Sequence, residues 1–337
     1  MRVFLALCLA LGAISGSSAD HPAVVKAEFI YENASFPSCH ASTLVEVQPG
    51  LLLAAWFGGT EEGADDVGIW LSRHENKAWS APVEVARHDG VPCWNPVLFQ
   101  KPGGETLLFY KAGPSPREWS GLLIHSMDGG KTWSQPELLP AGILGPIKNK
   151  PILLDDGSLV CGSSVESWNA WACWMEITTD WGKTWHKTGP IAFPGVARGL
   201  IQPTLYLGKD NTLHMVCRST NTIGAVCAAH SKDGGLSWSE VTKTALPHNN
   251  SGLDAVRLAS GQIALVYNHT AKGRTPLNLG LSSDDGITWS NVLTLEDQPG
   301  EYSYPAVIET SDGMIHTTYT WKRERIKHVI IDPLKIY

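Results

Sequence analysis

No run of basic residues occurs anywhere in the chain, and Asp plus Glu outnumber Lys plus Arg by 33 to 26. That balance excludes a phosphate-tracking surface for nucleic acid and an electrostatic foothold on anionic membranes. After the first twenty residues no apolar stretch approaches the roughly 20 residues that a membrane helix needs. No CxxC pair and no Cys/His spacing of a zinc site is present, so neither a metal nor another cofactor is expected. Long segments of helical period, linkers and low-complexity tracts are missing too. The chain instead reads as short β runs separated by Gly, Asp and Asn.

The N-terminus differs from the rest. Arg2, the apolar run 3–14 and the small residues Ser17, Ser18 and Ala19 read as a secretory signal peptide over residues 1–19. The expected product is a soluble, secreted or periplasmic protein spanning 20–337, most simply a monomer. Six of the seven cysteines then remain. Cys39 with Cys93, Cys161 with Cys173 and Cys217 with Cys227 are the pairs that three disulfides would use, and buried free thiols are the equal alternative.

What the chain has in abundance is one octapeptide, Ser-x-Asp-x-Gly-x-x-Trp. It stands at 126–133, 178–185 (with Thr178 first), 231–238 and 282–289, with a worn copy at 72–79 where His74 replaces Asp. Its tryptophans, Trp79, Trp133, Trp185, Trp238 and Trp289, lie 54, 52, 53 and 51 residues apart. A fixed period near 50 means one stacked supersecondary unit, and residues 20–337 hold about six of them. Asp bonding its own turn, Gly at positive φ and a returning Trp make each copy a strand connection. The sequence has 14 Trp in all; sugar rings stack on such faces, although the repeat accounts for five.

The octapeptide resembles the Asp-box, or BNR repeat, of sialidase-like β-propellers. The resemblance implies an all-β, six-bladed propeller of four-stranded antiparallel blades, forming one domain over 20–337. It also implies that these turns are structural and lie away from the active site.

A second repeat between the Asp-boxes locates the axis. Strands open at His40, Asn95, Lys150, Gln202, Asp254 and Tyr304, each followed by Pro or Ala. In a propeller these six start on one face around one axis. The returning strands end near Trp56, Lys111, Glu166, Arg218, Asn268 and, past Trp321, Arg323. Together the two sets are expected to line a polar cup, the default ligand site. In it, Lys111, Lys150, Arg218 and Arg323 suit a carboxylate. Glu166, Asp254 and His40 are candidate acids or bases. Tyr302 or Tyr304 is a candidate nucleophile, base or acid. The acidic, Gly-rich loop 58–66 is expected to overhang the cup with Asp65 or Asp66 as a general acid. A polar loop at 247–252 precedes the fifth opening.

Set beside sialidases, Arg218 matches the second carboxylate-binding arginine, Tyr302 or Tyr304 the nucleophile, and Asp65 or Asp66 the acid. The first arginine is absent from Cys39-His40-Ala41, and Gln202 stands where a Glu partner is expected. No third arginine stands at Asp254, Arg257 and Arg274 being the nearest in sequence. The resemblance therefore implies a glycosidase acting at an acidic sugar, with a sialidase-type hydrolase first. A uronate-directed lyase built on His40 and Tyr304 and a non-catalytic glycan-binding propeller are the alternatives.

Overall fold

A computed structural model describes residues 21–336; the signal-peptide reading of 1–19 lies outside them. Six antiparallel sheets follow one another along the chain. Blade 1 occupies residues 38–86, blade 2 93–138, blade 3 152–191, blade 4 200–247 and blade 5 254–296. Blade 6 takes three strands from 302–331 and its outermost strand, Val24–Phe29, from the other end of the chain. Pairing of Val24–Phe29 with Arg325–Ile331 closes the ring. Five sheets have four strands, and blade 1 adds a short fifth, Val83–Ala86, against Gly68–Glu75. The fold is therefore the expected six-bladed, all-β propeller, with one short 3-10 turn at Pro333–Lys335. No helix among the described residues is long and apolar enough to cross a membrane.

The Asp-boxes show why the period persists. In blade 4 the Ser231 hydroxyl donates to Asp233 Oδ1 (2.7 Å) and accepts from Gly235 N (2.8 Å), while Ser237 N donates to the same carboxylate (2.9 Å). Gly235 sits at φ 94°, which a side chain would resist. Trp238 then donates to the Gly235 carbonyl (3.1 Å). Blades 3 and 5 repeat the set around Asp180 and Asp284. These donors hold the Asp180 and Asp233 carboxyls down at about 2, so the turns stay ionised and closed at any ordinary pH.

The apolar cores lie between blades. Leu53, Ala55 and Ile69 of blade 1 meet Leu98, Leu108 and Tyr110 of blade 2, and Val160 and Met175 of blade 3 meet Leu205 and Met215 of blade 4. All six described cysteines are buried there as free thiols, so none of the three disulfide pairs forms. Cys217 faces Cys227 across neighbouring strands, but its Sγ contacts a carbonyl oxygen of Cys227 rather than sulfur.

Candidate active site at the propeller axis

Four inner strands carry a bulge where they meet the axis: between His40 and Thr43, Trp94 and Val97, Ile201 and Pro203, and Ser303 and Ala306. The extra residue in each has positive φ: Ala41 at 59°, Asn95 at 35°, Gln202 at 55° and Tyr304 at 52°. A bulge bends the strand and re-aims one side chain. Non-glycine residues hold this conformation at a cost and cluster at functional sites. Ahead of blade 3, Lys148 has positive φ at 69°.

Tyr304 is the centre of what the bulges bring together. Its hydroxyl oxygen accepts from Arg218 Nη1 (2.5 Å) and from Gln202 Nε2 (3.3 Å), across the axis from blade 4 to blade 6. Gln202 Oε1 in turn accepts from Arg218 Nη1 (3.3 Å), which fixes its amide orientation. Two donors converge on the phenol oxygen, so its own proton points elsewhere, and both donors would stay bonded to a phenolate. His40 packs against the Tyr304 ring with centroids 4.0 Å apart. Its Nδ1 bonds Thr320 Oγ1 (3.0 Å), and its buried Nε2 has no partner among the described residues. Burial first, then Arg323, Arg274 and Arg218, hold this imidazole well below its ordinary pKa, so it is neutral at physiological pH. Loop 247–252 contributes Asn250, which accepts from Arg218 Nε (2.8 Å).

Arg274 also enters the site, from the loop before strand Leu277–Ser282. Its guanidinium lies 5.6 Å from the Tyr304 ring centre, as that of Arg218 does at 5.7 Å. Glu301 accepts from both Arg274 (2.6 Å) and Arg323 (2.7 Å). Burial raises the Glu301 carboxyl, but the two arginines outweigh it and keep it ionised. Arg323 reaches on to Glu62, which ties the overhanging acidic loop to blade 6. Glu166 shares this electrostatic neighbourhood: burial raises its carboxyl against the pull of Arg218 and Arg198. It also walls an adjoining cavity of about 300 Å³ with Trp119 and Leu144. Asn95 occupies its bulge with its side chain buried.

Other expected members of the cup lie elsewhere. Trp56 is fully buried and stacked on Tyr31 (5.2 Å), because the blade 1 bulge shifts the returning strand by one residue. Tyr302 is buried against Trp321 in the core between blades 5 and 6, which leaves Tyr304 as the tyrosine of the site. Lys150 bonds Asp254 Oδ2 (2.8 Å), and that carboxylate also accepts from Val307 N and Thr204 Oγ1. With its lone pairs filled, Asp254 braces blades 4, 5 and 6. Asn268 Nδ2 donates to the carbonyls of Pro276 and Tyr302, and its buried Oδ1 has no partner among the described residues. Lys111 is fully buried and donates to Pro146 O. Asp66 accepts from Thr60 N and Oγ1 (3.0 and 2.7 Å), which depresses its carboxyl and makes it a loop cap. Asp65 is exposed on the same loop.

Lys148 lies on the axis itself, bonded to Asn149 Oδ1 (2.8 Å) and to the carbonyls of Leu253 (3.0 Å) and Pro305. Burial pushes the ammonium groups of Lys148 and Lys111 down to about 7, with Asp254 and Glu176 pulling the other way. In the unfolded chain a lysine keeps its proton to about 10.4. Between those values the folded state binds fewer protons, so stability rises with pH, by about 1.4 kcal/mol per unit for each group. Above about 8.5 the unfolded thiols ionise and oppose the trend. The urea midpoint is therefore expected to rise from pH 7 to 8, and to rise less in Lys148→Met. A midpoint that is flat over this range would show both lysines to be fully charged in the fold.

Among the described residues no group of three or more His, Cys, Asp or Glu side chains is arranged to hold a metal ion. A family model described as a BNR repeat-like domain matches residues 50–317. No curated protein sequence matches the chain. Solved structures share its fold at low identity. A protein of unknown function from Dyadobacter fermentans has a TM-score of 0.77 at 18% identity, covering 92% of this chain and 99% of that one. The NanB sialidase from Streptococcus pneumoniae has a TM-score of 0.74 at 14% identity, covering 92% and 71%. The Trypanosoma rangeli sialidase, in complex with 2,3-difluorosialic acid as a covalent intermediate, has 0.70 at 14%, covering 89% and 55%.

Proposed function

The chain belongs to the BNR repeat-like family, and on that premise we propose that it is an exported carbohydrate-active enzyme that cleaves a glycosidic bond at an acidic sugar. One observation carries this reading: the Tyr304 oxygen receives two hydrogen bonds beneath the guanidinium groups of Arg218 and Arg274. Arginine forks bind a sugar carboxylate, and a phenolate held by such donors is a nucleophile or a base. In the hydrolase form Tyr304 attacks the anomeric carbon and Glu166, whose carboxyl burial raises, is the candidate acid that protonates the departing oxygen. Water then releases the sugar from tyrosine. The covalent intermediate captured in the Trypanosoma rangeli sialidase, a protein of the same fold, supports this order of events.

A second reading is favoured by Gln202. Among the described residues no carboxylate hydrogen-bonds Tyr304, and the titratable ring packed on it is His40, neutral and with Nε2 unpartnered. A Tyr/His pair suits a lyase, in which one group removes the C5 proton of a uronate and the other protonates the leaving oxygen.

The test is incubation with sialosides and with uronate-containing oligosaccharides, following new reducing ends and ultraviolet absorbance together. The hydrolase reading expects reducing ends without absorbance. Absorbance rising in step with the ends establishes the lyase reading instead. Release of neither from any acidic glycan overturns both.

A further inference from the structure

Two of the four bulges are served by one pair of residues. In blade 4 the ladder between Leu200–Leu207 and Leu213–Ser219 passes over Gln202, pairing Ile201 with Arg218 and then Pro203 with Cys217. In blade 6 the ladder between Tyr302–Glu309 and Ile315–Trp321 passes over Tyr304 and Pro305. A bulge leaves its extra residue unpaired, and a buried carbonyl there needs a donor from outside the ladder. The Gln202 carbonyl accepts from Asn149 Nδ2 (3.0 Å), and the Pro305 carbonyl accepts from Lys148 Nζ. Both donors stand in the segment ahead of Ile152–Leu153, the first strand of blade 3. One dipeptide thus crosses the axis to two other blades.

The pair is itself locked. Lys148 Nζ also donates to Asn149 Oδ1 (2.8 Å) and to the Leu253 carbonyl (3.0 Å), so in the charged form each ammonium proton has an acceptor. Lys148 holds its φ of 69°, and Asn149 N closes back on the Ile147 carbonyl (2.8 Å). A non-glycine residue stays in this region only where its surroundings hold it there. Both side chains are buried. A side chain at Gly252 would meet the Tyr304 ring (3.1 Å) and Lys148 Cε (3.2 Å), so tyrosine and lysine pack on the same bare glycine. Of the four bulges, the pair reaches, among the described residues, only the two whose side chains meet at the phenol oxygen: Gln202 Nε2 donates to Tyr304, and Arg218 Nη1 bonds both. The bulge at Ala41 is met by Thr320 Oγ1 instead (3.2 Å). Lys150, the next residue, spends its ammonium on Asp254 Oδ2 and the Ala255 carbonyl (both 2.8 Å). We propose that Lys148 and Asn149 are positioning residues for Tyr304. By bonding both freed carbonyls they fix the two bulges relative to each other, and so hold the phenol oxygen against Arg218 and Gln202. This rests on the proposed function only in the kinetic half of its test.

Two variants test it in the whole protein. Lys148→Met removes the three bonds and keeps an unbranched stem. Asn149→Asp keeps the bond to Lys148 and puts an acceptor where the Gln202 carbonyl needs a donor; being isosteric, it decides the matter if Lys148→Met does not fold. Asp233→Ala, which opens an outer Asp-box turn, is the control for general loss of stability. The first readout needs no substrate: tyrosine labelled with ¹³C at Cζ, with the Tyr304 signal identified by its loss in Tyr304→Phe. Each axial variant is expected to shift that signal, and Asp233→Ala to lower the melting temperature and leave it in place. The second readout is kinetic, on a glycan that the wild type cleaves. There kcat is expected to fall about a hundredfold in each axial variant, as a misplacement of about 1 Å causes, with KM within about threefold because Arg218 and Arg274 remain. A Tyr304 signal unmoved in a folded axial variant, or moved as far by Asp233→Ala, overturns the proposal. A moved signal with kcat unchanged upholds the positioning and overturns instead the part given to Tyr304 in the reaction.

Discussion

Tyr304→Phe is expected to lower kcat/KM on the cleaved glycan by about a thousandfold, within the range that one positioned acid–base or nucleophilic group supplies. The ring stays, so the packing on His40 and the cation contacts of Arg218 and Arg274 persist. Arg218 Nη1 keeps Gln202 Oε1 as acceptor, and Nε keeps Asn250, so the guanidinium is not stranded. The melting temperature is expected to move by no more than about 5 °C, as loss of one hydrogen bond implies. A fold left intact with turnover gone places the oxygen of Tyr304 in the reaction. Because both chemistries require that oxygen, the result tests the cup and not the choice between hydrolase and lyase. His40→Asn separates them. It removes the imidazole packed on Tyr304 and should abolish a lyase, whereas a hydrolase whose Tyr304 oxygen is held by Arg218 and Gln202 retains more of its activity. Full activity in Tyr304→Phe would mean that the axis is not where the bond is cleaved.

The blade count was legible because the Asp-box is a local device. Its Ser, Asp, Gly and Trp bond one another within eight residues, so the pattern in sequence is the pattern in space. The cup was legible in part, and the bulges explain which part. Counting from Pro or Ala finds the positive-φ residue where Pro follows it, at Asn95, Gln202 and Tyr304. Blade 1 lacks that Pro, its bulge falls on Ala41, and the return count lands on Trp56 in the core. In blade 3 the strand is Ile152–Leu153, and the axial residue is Lys148, two before the one the count selects. Period-two alternation carries no mark of a bulge, and one inserted residue exchanges the faces of everything beyond it. Arg274 and Glu301 were missed for another reason. They stand on loops outside the hairpin repeat, and only the approach of blade 5 to blade 6 brings them over Tyr304.

Those loops bear on recognition, because they supply charge that the strand-end count misses. Of the arginines Arg218, Arg274 and Arg323, the last two are already occupied by the carboxylate of Glu301. Arg218 is engaged by neutral partners only: Tyr304, Gln202 and Asn250. It is thus the arginine of the three that no described carboxylate hydrogen-bonds, which leaves it available to an incoming carboxylate. Replacing Arg218 with Ala is expected to lower kcat/KM on the acidic glycan by roughly a hundred- to a thousandfold, the usual loss on truncating a buried charged partner. Lys in its place keeps the charge but loses the fork and the Asn250 contact, so it is expected to recover only a small part. The discriminating measurement uses the methyl ester of the same substrate. If Arg218 binds the carboxylate, the wild-type preference for acid over ester collapses in Arg218→Ala, because the ester never had that interaction to lose. If acid and ester fall by the same factor, Arg218 acts only by holding the Tyr304 oxygen. The site would then recognise its sugar through Arg274 and Arg323, after displacement of Glu301.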